Sequence, residues 1–518
     1  MRAREETSVE TEARLKTRAT NHGGTITRRK LVELAGIAAV TAALPSHAAM
    51  AEPSAGQAKS AANPGAVMAQ LSTYMSGASG RALPEEVIEK AKQHVLDTLA
   101  AMISGSNLPP GRAALRFAQA YGGKKVSTVI GANFLCGPIE AALTNAMLAH
   151  ADETDDSHAP SQSHPGAAVV PAALALGEPA GITGAHFVRA VTLGYDIGSR
   201  FTMVLGGEKY EAESHWSTHS IATIFGAAAA AGCVANLNAQ QMRWLLGYTA
   251  QQSSGLGAWH RDTEHIQKAF VFAGMNARSG VTSAMLVLAG WTGVDDILSG
   301  TDNFFQAYNP QADPSGLLEQ LGKRYELTRT NVKKWSVGSP IQAALDALEI
   351  LVKQHSFSAD QVQQITVHLA TEEAAIVNNR EMPDVCAQHM LAVMLLDKTV
   401  TFRSAHDIAR MKDPATLRER AKIKLVPEQE LQRLMPLRVA VVDVALVNGA
   451  QFTYRVDNVR GTPENPMTPD EIAAKARDLI APILGAAACN ALIQKVVHLE
   501  SLNDIRELRP LLQRMSSV

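Results

Sequence analysis

The chain has 518 residues, a formal net charge of −2, 46% hydrophobic and 19% charged residues, and only 5% aromatic residues. This composition is typical of a globular protein and excludes a disordered chain. No long basic run occurs in the sequence. Nucleic acid is therefore not an expected partner, because phosphate contacts require clustered lysine and arginine. The length exceeds what one compact core usually serves, so we expect two domains.

The first element in chain order is predicted to be a targeting signal rather than a folded domain. The pair Arg28-Arg29 is followed by a mildly apolar run at 31–44 and by small residues around Ala51. These three parts in this order are typical of a twin-arginine export signal. We therefore expect cleavage near Ala51, export to the periplasm and no stable membrane insertion of the mature protein.

Replacing both Arg28 and Arg29 by lysine is expected to keep the protein inside the cell, because the arginine pair is read by a receptor as an address. Fractionation of cells that express the double variant measures this directly. A matched control replaces Arg2 and Arg4, upstream of the pair, and should leave export unchanged. Normal export of the Arg28/Arg29 variant would contradict the signal.

The next region, up to about residue 320, is predicted to be entirely helical. Pro84 opens a segment in which apolar residues recur at i, i+3 and i+4. Similar patterns, most of them alanine-rich, occur at 137–149, 167–177, 183–205, 219–235, 239–253 and 267–290.

Beyond residue 320 the pattern changes to mixed α and β. Residues 363–370 alternate like a strand, and 437–457 contain two strand-like runs around Asn448-Gly449, a strong hairpin signal. Helical patterns recur at 339–354, 385–397, 469–484 and 486–496. The sequence therefore predicts a mainly α fold, with a large all-helical domain and a smaller α+β domain.

The cysteines give no sign of a metal site. The chain has four, which are far apart, and no CxxC spacing for zinc or an iron–sulfur cluster occurs: Cys136, Cys233, Cys386 and Cys489. We expect buried free thiols, because a large core needs no disulfide. No GxGxxG motif opens a helix after a strand, so no metal or organic cofactor is predicted.

Residues 151–166 are the most polar stretch between apolar segments. They hold four carboxylates, two histidines and five hydroxyl or amide side chains. A histidine beside carboxylates can have its pKa raised and its tautomer fixed for acid–base work, which nominates His164. Alternatively, Asp155 or Asp156 caps the next helix and His164-Pro165 makes only a turn.

Five separated motifs resemble one family when taken together. They are "HADETDDSH…SHPG", "EHIQKAFVFAGMNARSG", "NVKKWSVGSP", "AQHMLAVMLLD" and "ENPMT". They are similar to the MmgE/PrpD family, which includes 2-methylcitrate dehydratase, cis-aconitate decarboxylase and an iminodisuccinate epimerase. The resemblance covers residues 65–515. It implies a helical domain with a smaller α+β lid domain, a homodimer and no cofactor.

The sequence patterns divide the chain into a signal region (1–51), a linker (52–64), a helical domain (65–320), an α+β domain (321–464) and C-terminal helices that pack back on the helical domain (465–518). The resemblance implies that the α+β domain is a lid, and it also implies the site. The implied catalytic residues, at the mouth of the active site, are Glu153, Asp155, Ser157, His164, Lys268 and Lys333. The two lysines would bind substrate carboxylates, and Arg278 is a weaker candidate for the same task.

Two departures from the family pattern put the substrate in doubt. Ser217 stands where many relatives have a histidine, and His215 and His219 flank it as possible substitutes. His389 stands where relatives that act on aconitate-like substrates have a tyrosine. Because an imidazole differs from a phenol in pKa and donor geometry, we expect a substrate other than cis-aconitate or methylcitrate.

The reactions of the family share a carbanion next to a carboxylate. The resemblance therefore implies a lyase for a small di- or tricarboxylate, with dehydration as the first expectation. An epimerase or isomerase and a decarboxylase remain alternatives, because they differ only in where the second proton goes. A carboxylate-binding protein without catalysis is the most distant alternative.

Overall fold

The structure is a computed structural model that describes residues 64–514, so the predicted signal region and nearly all of the predicted linker lie outside the described residues. Within residues 64–514, no helix is long and apolar enough to cross a membrane. The helices, numbered in chain order, are α1 (Ala66–Ser76), α2 (Glu85–Gly105), α3 (Pro109–Tyr121), α4 (Pro138–Ala149), α5 (Gly166–Ala180), α6 (Gly184–Leu205), α7 (Gly207–Ser214), α8 (Thr218–Val234), α9 (Ala239–Gln252), α10 (Ile266–Ala269), α11 (Met275–Leu288), α12 (Phe304–Tyr308), α13 (Ser339–His355), α14 (Thr371–Val377), α15 (Ala387–Asp397), α16 (Phe402–Ala405), α17 (Pro414–Arg420), α18 (Gln429–Gln432), α19 (Pro469–Leu484), α20 (Ala486–Val497) and α21 (Arg509–Leu512). The strands are β1 (Ser127–Thr128), β2 (Leu135–Cys136), β3 (Val362–Ala370), β4 (Ile423–Glu428), β5 (Ala440–Leu446) and β6 (Gln451–Val456).

The first hydrophobic core is built from alanine-rich helices that pack closely. Helices α6 and α8 approach each other so tightly that a Cβ at Gly198 would lie 2.3 Å from the carbonyl oxygen of Ala222. Glycine at this position therefore lets the two backbones meet. Leu479 of α19 and Leu492 of α20 are buried in the same core, so the last long helices pack with the first ones.

The second core lies against a four-stranded sheet of order β4-β3-β5-β6. Strand β3 pairs parallel with β4 and antiparallel with β5, and β5 pairs antiparallel with β6. Helices α13 and α15 cover one face of this sheet with residues such as Ile341 and Leu391. The predicted mainly α fold with a smaller α+β part is confirmed.

Two features of the fold differ from the sequence expectations or go beyond them. Strand β4 was not predicted, because it is an edge strand that contains Pro427 and has one buried residue, Ile423. The helix predicted at 267–290 is broken by a π-helical turn, Phe270–Gly274. All four cysteines are free and buried, as predicted.

Candidate active site

The polar segment 151–166 connects α4 to α5 and is buried rather than placed at an open mouth. Asp152 and Glu153 are 2% and 5% exposed, and Asp155 is fully buried. A buried loop must find partners for its backbone. Lys333 Nζ donates to the carbonyl of Glu153 at 2.8 Å, and Lys475 Nζ donates to the carbonyl of residue 154 at 2.9 Å. Side chains from distant segments thus hold the loop in place.

Two ammonium groups meet at Glu153. Lys268 Nζ donates a hydrogen bond to Glu153 Oε1, and Lys333 Nζ lies 3.7 Å from Glu153 Oε2. Lys333 Nζ also lies 3.9 Å from Asp155 Oδ1. Burial opposes ionisation of Glu153, but the two lysines outweigh it and hold the pKa of this carboxyl well below its usual range.

Asp155 connects two imidazoles. Its Oδ2 is hydrogen-bonded to His150 Nδ1 at 2.9 Å, and its Oδ1 lies 3.2 Å from His164 Nδ1. The rings of His150 and His164 are 4.8 Å apart between centroids. Burial opposes ionisation of Asp155, but the two histidines outweigh it and lower the pKa of the carboxyl. Asp155 therefore stays a carboxylate that can orient both rings.

His164 is less basic than the sequence suggested. Burial lowers its pKa below the usual value, and the charge of Lys333 lowers it further, while Asp155 acts in the opposite direction. The expected rise in pKa from neighbouring carboxylates is therefore not observed, because desolvation disfavours the charged imidazolium. His164 is a neutral imidazole at neutral pH, which suits it to accept a proton first.

The π-helical turn Phe270–Gly274 carries a ring between two of these histidines. Phe272 stacks on His150 with centroids 4.6 Å apart and on His219 with centroids 3.9 Å apart. Thr223 Oγ1 donates to the Phe272 carbonyl at 2.8 Å, a partner from another helix. Such turns are frequent at functional sites. Here the turn places an apolar wall against the imidazoles.

Lys268 is the ammonium group that a ligand can reach. Its side chain is 17% exposed, whereas that of Lys333 is 2% exposed. Lys268 Nζ lies 5.2 Å from the ring centroid of Trp259 and 5.0 Å from that of Phe272, within the range of cation–π attraction. The arrangement is a partly exposed cation beside two aromatic rings, and a fixed cation of this kind is what a substrate carboxylate requires.

Sequence reasoning missed two histidines of the cluster. His265 Nδ1 lies 4.0 Å from Glu153 Oε1, and its ring is 5.1 Å from that of His150. Burial and the charge of Lys268 hold the pKa of His265 well below its usual value. Signals existed, since His150 directly precedes the polar stretch and His265 stands three residues before Lys268, a spacing that places helical residues on one face.

A second pair joins this loop to the α+β part. His406, which follows α16, places Nε2 3.0 Å from Asp152 Oδ2. Burial opposes the positive charge, but Asp152 outweighs it and raises the pKa of His406 to about 9. Burial also raises the pKa of nearby Asp384 to about 6. No sequence signal connects Asp152 with a residue some 250 positions later.

Asp156 caps a helix rather than entering the imidazole cluster. Its Oδ1 accepts from the backbone N–H of Gly166, the first residue of α5, at 3.0 Å. Its Oδ2 accepts from Tyr195 Oη and lies 3.0 Å from His94 Nδ1. A Cβ at Gly166 would lie 2.4 Å from Tyr195 Oη, so glycine is required there. Of the two adjacent aspartates, Asp155 thus faces the histidines and Asp156 takes the capping role.

Replacing Asp156 by alanine is expected to lower the free energy of unfolding by about 1–3 kcal/mol, because it leaves buried donors on Tyr195 and Gly166 unpaired. Urea denaturation measures the change. Asp470→Ala, at an exposed first-turn position of α19, is the matched control. Equal stability of the Asp156 variant and the control would contradict the capping role.

Among the residues nominated from the family departures, only His219 joins the cluster. Its ring centroid lies 5.3 Å from that of His164. His215 directly follows α7 with a φ of 63° and is exposed, whereas the rings of the cluster are buried. Ser217 is buried at the start of α8, and its Oγ has no hydrogen-bond partner within residues 64–514.

The structure does not bring the remaining three nominees into the cluster. Ser157 lines an adjacent cavity of about 250 Å³ that Lys333 also lines. Arg278 is exposed within α11. His389 is buried on α15, and burial lowers its pKa to about 4, with Arg420 and Arg410 as the charges that act on it most. None of the lysines or carboxylates around Glu153 is among its strongest charged neighbours.

In the described part of the chain, two overlapping groups of side chains have ligand atoms close enough to hold a metal ion, with all atoms of a group within 4.8 Å of one another: His150, Asp155 and His164, and His150, Glu153 and His265. Imidazole and carboxylate suit zinc. However, each carboxylate already faces an ammonium group, Glu153 both lysines and Asp155 Lys333. The ammonium groups of Lys268 and Lys333 would repel a divalent cation bound by these carboxylates, so the residues present do not fit a resident metal ion.

Comparisons with known proteins agree with this architecture. The family model described as the MmgE/PrpD N-terminal domain matches residues 69–316, and that of the C-terminal domain matches 335–499. A cis-aconitate decarboxylase-like protein of Aspergillus oryzae is 25% identical over 86% of this chain and 97% of its own length. Cis-aconitate decarboxylases of Homo sapiens and Aspergillus terreus are 24% and 23% identical over 86% of this chain and 94% and 96% of theirs.

Proposed function

The chain belongs to the MmgE/PrpD family, and we propose that it is a lyase that acts on a small di- or tricarboxylate through a carbanion next to a carboxylate group. One observation carries this proposal. A partly exposed ammonium group, Lys268, lies beside a buried cluster whose imidazoles, His150 and His164, both face one carboxylate, Asp155. The site thus combines a carboxylate anchor with acid–base groups.

The mechanism follows from these positions. Lys268, which Glu153 holds against the aromatic wall, binds a substrate carboxylate, and the same cation stabilises the charge that builds up on this group when the carbanion forms. Lys333 is buried and donates a hydrogen bond to the loop carbonyl of Glu153. Its charge therefore acts on the substrate through the electrostatic potential of the site and not by direct contact. His164, oriented by Asp155, moves the proton.

Decarboxylation is the reaction to test first. Two relatives that match this chain over nearly their whole length are named cis-aconitate decarboxylases, and their sequences are 23–24% identical to it. In such a reaction the carbanion forms by loss of CO2 and is then protonated. Dehydration is the second candidate, favoured by the neutral state of His164. A neutral imidazole begins by taking an α-proton, and a hydroxyl group then leaves as water.

The experiment is a panel of di- and tricarboxylates incubated with the protein in deuterated water. Thermal shift reports binding, because a ligand that binds the folded state raises its apparent stability. NMR separates loss of CO2, loss of water and hydrogen exchange without either loss. Binding without any of the three would contradict the lyase and favour a non-catalytic carboxylate-binding protein. The panel includes cis-aconitate and methylcitrate, because His389, on which the expectation of a different substrate rested, lies outside the cluster.

Activity is expected to survive prolonged treatment with chelators, because the two lysines supply the cationic charge that a metal would otherwise provide. Turnover before and after treatment with EDTA measures this, with the metal content of the protein determined in parallel. Loss of activity that one divalent metal restores would contradict the prediction. It would assign a metal to His150, Asp155 and His164.

A further inference from the structure

Glu211 lies on the solvent side of the imidazole cluster. It stands on α7, and its Oε2 is 3.9 Å from His219 Nε2. Thr218 Oγ1 carries one proton and lies within hydrogen-bond distance of two acceptors, Glu211 Oε2 and, at 2.9 Å, the carbonyl oxygen of Gln162. The carboxyl group is thus tied to the loop that carries His164.

His219 links Glu211 to the buried rings. It stacks on Phe272, and its centroid is 5.3 Å from that of His164. Its Nδ1 is buried and has no hydrogen-bond partner in the part of the chain that the structure describes. Side-chain exposure falls from 15% at Glu211 to 12% at His219 and 8% at His164. The three residues form a row from the surface to the base.

The surroundings of Glu211 allow its carboxyl group to gain or lose a proton near neutral pH. Burial raises its pKa to about 7, hydrogen bonds from Thr218 act against this rise, and Glu208 on the same helix adds to it. The charge of Lys268 lowers the pKa of Glu211, and His219 is neutral because burial and the neighbouring His164 hold its own pKa well below the usual value. A carboxyl group thus faces a neutral imidazole.

We propose that Glu211 and His219 carry protons between solvent and His164. This inference rests on the proposed function, because a decarboxylation consumes one proton per turnover, which His164 must regain from solvent, and exchange of an α-hydrogen with solvent also passes through this residue. For proton delivery, the Glu211 carboxyl group protonates His219 Nε2, and one water molecule can span the 3.9 Å between them. His219 releases the proton from Nδ1 towards His164, and the Glu211 carboxylate takes a proton from buffer acid. Removal of a proton follows the reverse order.

Glu211→Gln tests the relay, because glutamine keeps the shape and the acceptor oxygen but cannot hold the proton. Hydrogen exchange between solvent and the reacting carbon is expected to fall by up to about 10²-fold, the lower range for one acid–base group. KM should change little. A small buffer such as imidazole should restore the rate as its concentration rises, and the pH limb near 7 should vanish. Glu211→Asp should retain part of the exchange.

Glu213→Gln is the control. Glu213 stands on the same helix, is 68% exposed and faces only Lys209. In Glu213→Gln, the rate of hydrogen exchange at the reacting carbon and the pH profile are expected to match those of the wild type. The same wild-type behaviour in Glu211→Gln would overturn the relay.

A readout without turnover separates this inference from the proposed function. Infrared difference spectra of the substrate-free protein should contain a carboxylic-acid band that titrates near pH 7, disappears in Glu211→Gln and persists in Glu213→Gln. A wild-type spectrum without this band overturns the relay even if the enzyme is active. A wild type that has the band but converts no carboxylate overturns the lyase instead.

Discussion

Lys268→Ala is expected to lower kcat/KM by about 10²–10³-fold, the usual loss when one group that stabilises transition-state charge is removed. Both kcat and KM should suffer, because this cation binds the substrate carboxylate in the ground state and in the transition state. Steady-state kinetics on the best substrate of the carboxylate panel measures the effect. A parallel titration by thermal shift should show weaker binding.

Lys209→Ala is the matched control for this variant. Lys209 is 81% exposed and forms only an ion pair with Glu213 on its own helix. Its removal is expected to leave kcat/KM unchanged, because exposed pairs contribute little. Lys268→Arg should recover part of the binding but less of the turnover, since the guanidinium group has a different shape. A wild-type kcat/KM in Lys268→Ala would contradict this role and would mean that another cationic residue binds the substrate carboxylate.

Local patterns were sufficient to predict most elements and the polar segment of the site, whereas most individual site residues were assigned from the family resemblance. Periodic apolar residues predicted α5, α6 and α8 within a few positions. A dense polar loop between buried helices indicated a site, and the structure places Glu153 and Asp155 there together with the distant Lys268. These residues were recognisable because several signals meet at each of them, namely charge, an apolar neighbourhood and a motif.

What the sequence could not provide are properties that depend on depth and distance. The loop was expected at an open mouth, but lysines from two later segments bury it by binding its carbonyls. That burial also reverses the expected pKa change of His164. The pairing of His406 with Asp152 joins segments far apart in the chain, which no local pattern reveals.

The choice among neighbouring candidates was also beyond local patterns. His215 and His219 differ by four positions, yet only His219 points inward, because His215 ends α7 in a left-handed conformation and α8 begins just after it. Sequence spacing could not decide where the helix break falls. His389 is a similar case, since its place on a buried helix is predictable but its distance from the lysines is not.

His164→Ala is expected to reduce kcat by about 10²–10⁴-fold, the typical contribution of a general acid–base group. Substrate affinity should change little, because the anchor at Lys268 is intact. Turnover kinetics together with calorimetric binding separate the two effects. His368→Gln is the control, since His368 lies on the open face of the sheet, 2.9 Å from Glu428 and 3.0 Å from Asp443. It should retain full turnover.

The structure also limits which histidines could be the acid–base group if this prediction fails. Wild-type turnover in His164→Ala would mean that another imidazole moves the proton. Within residues 64–514, the other histidines whose rings contact the cluster are His150, His219 and His265, whereas His215 is exposed and His389 lies among other charges. Of these three, His150 shares the carboxylate of Asp155 and would be oriented even without His164. His150→Ala in the same assay would then show the loss that His164→Ala did not.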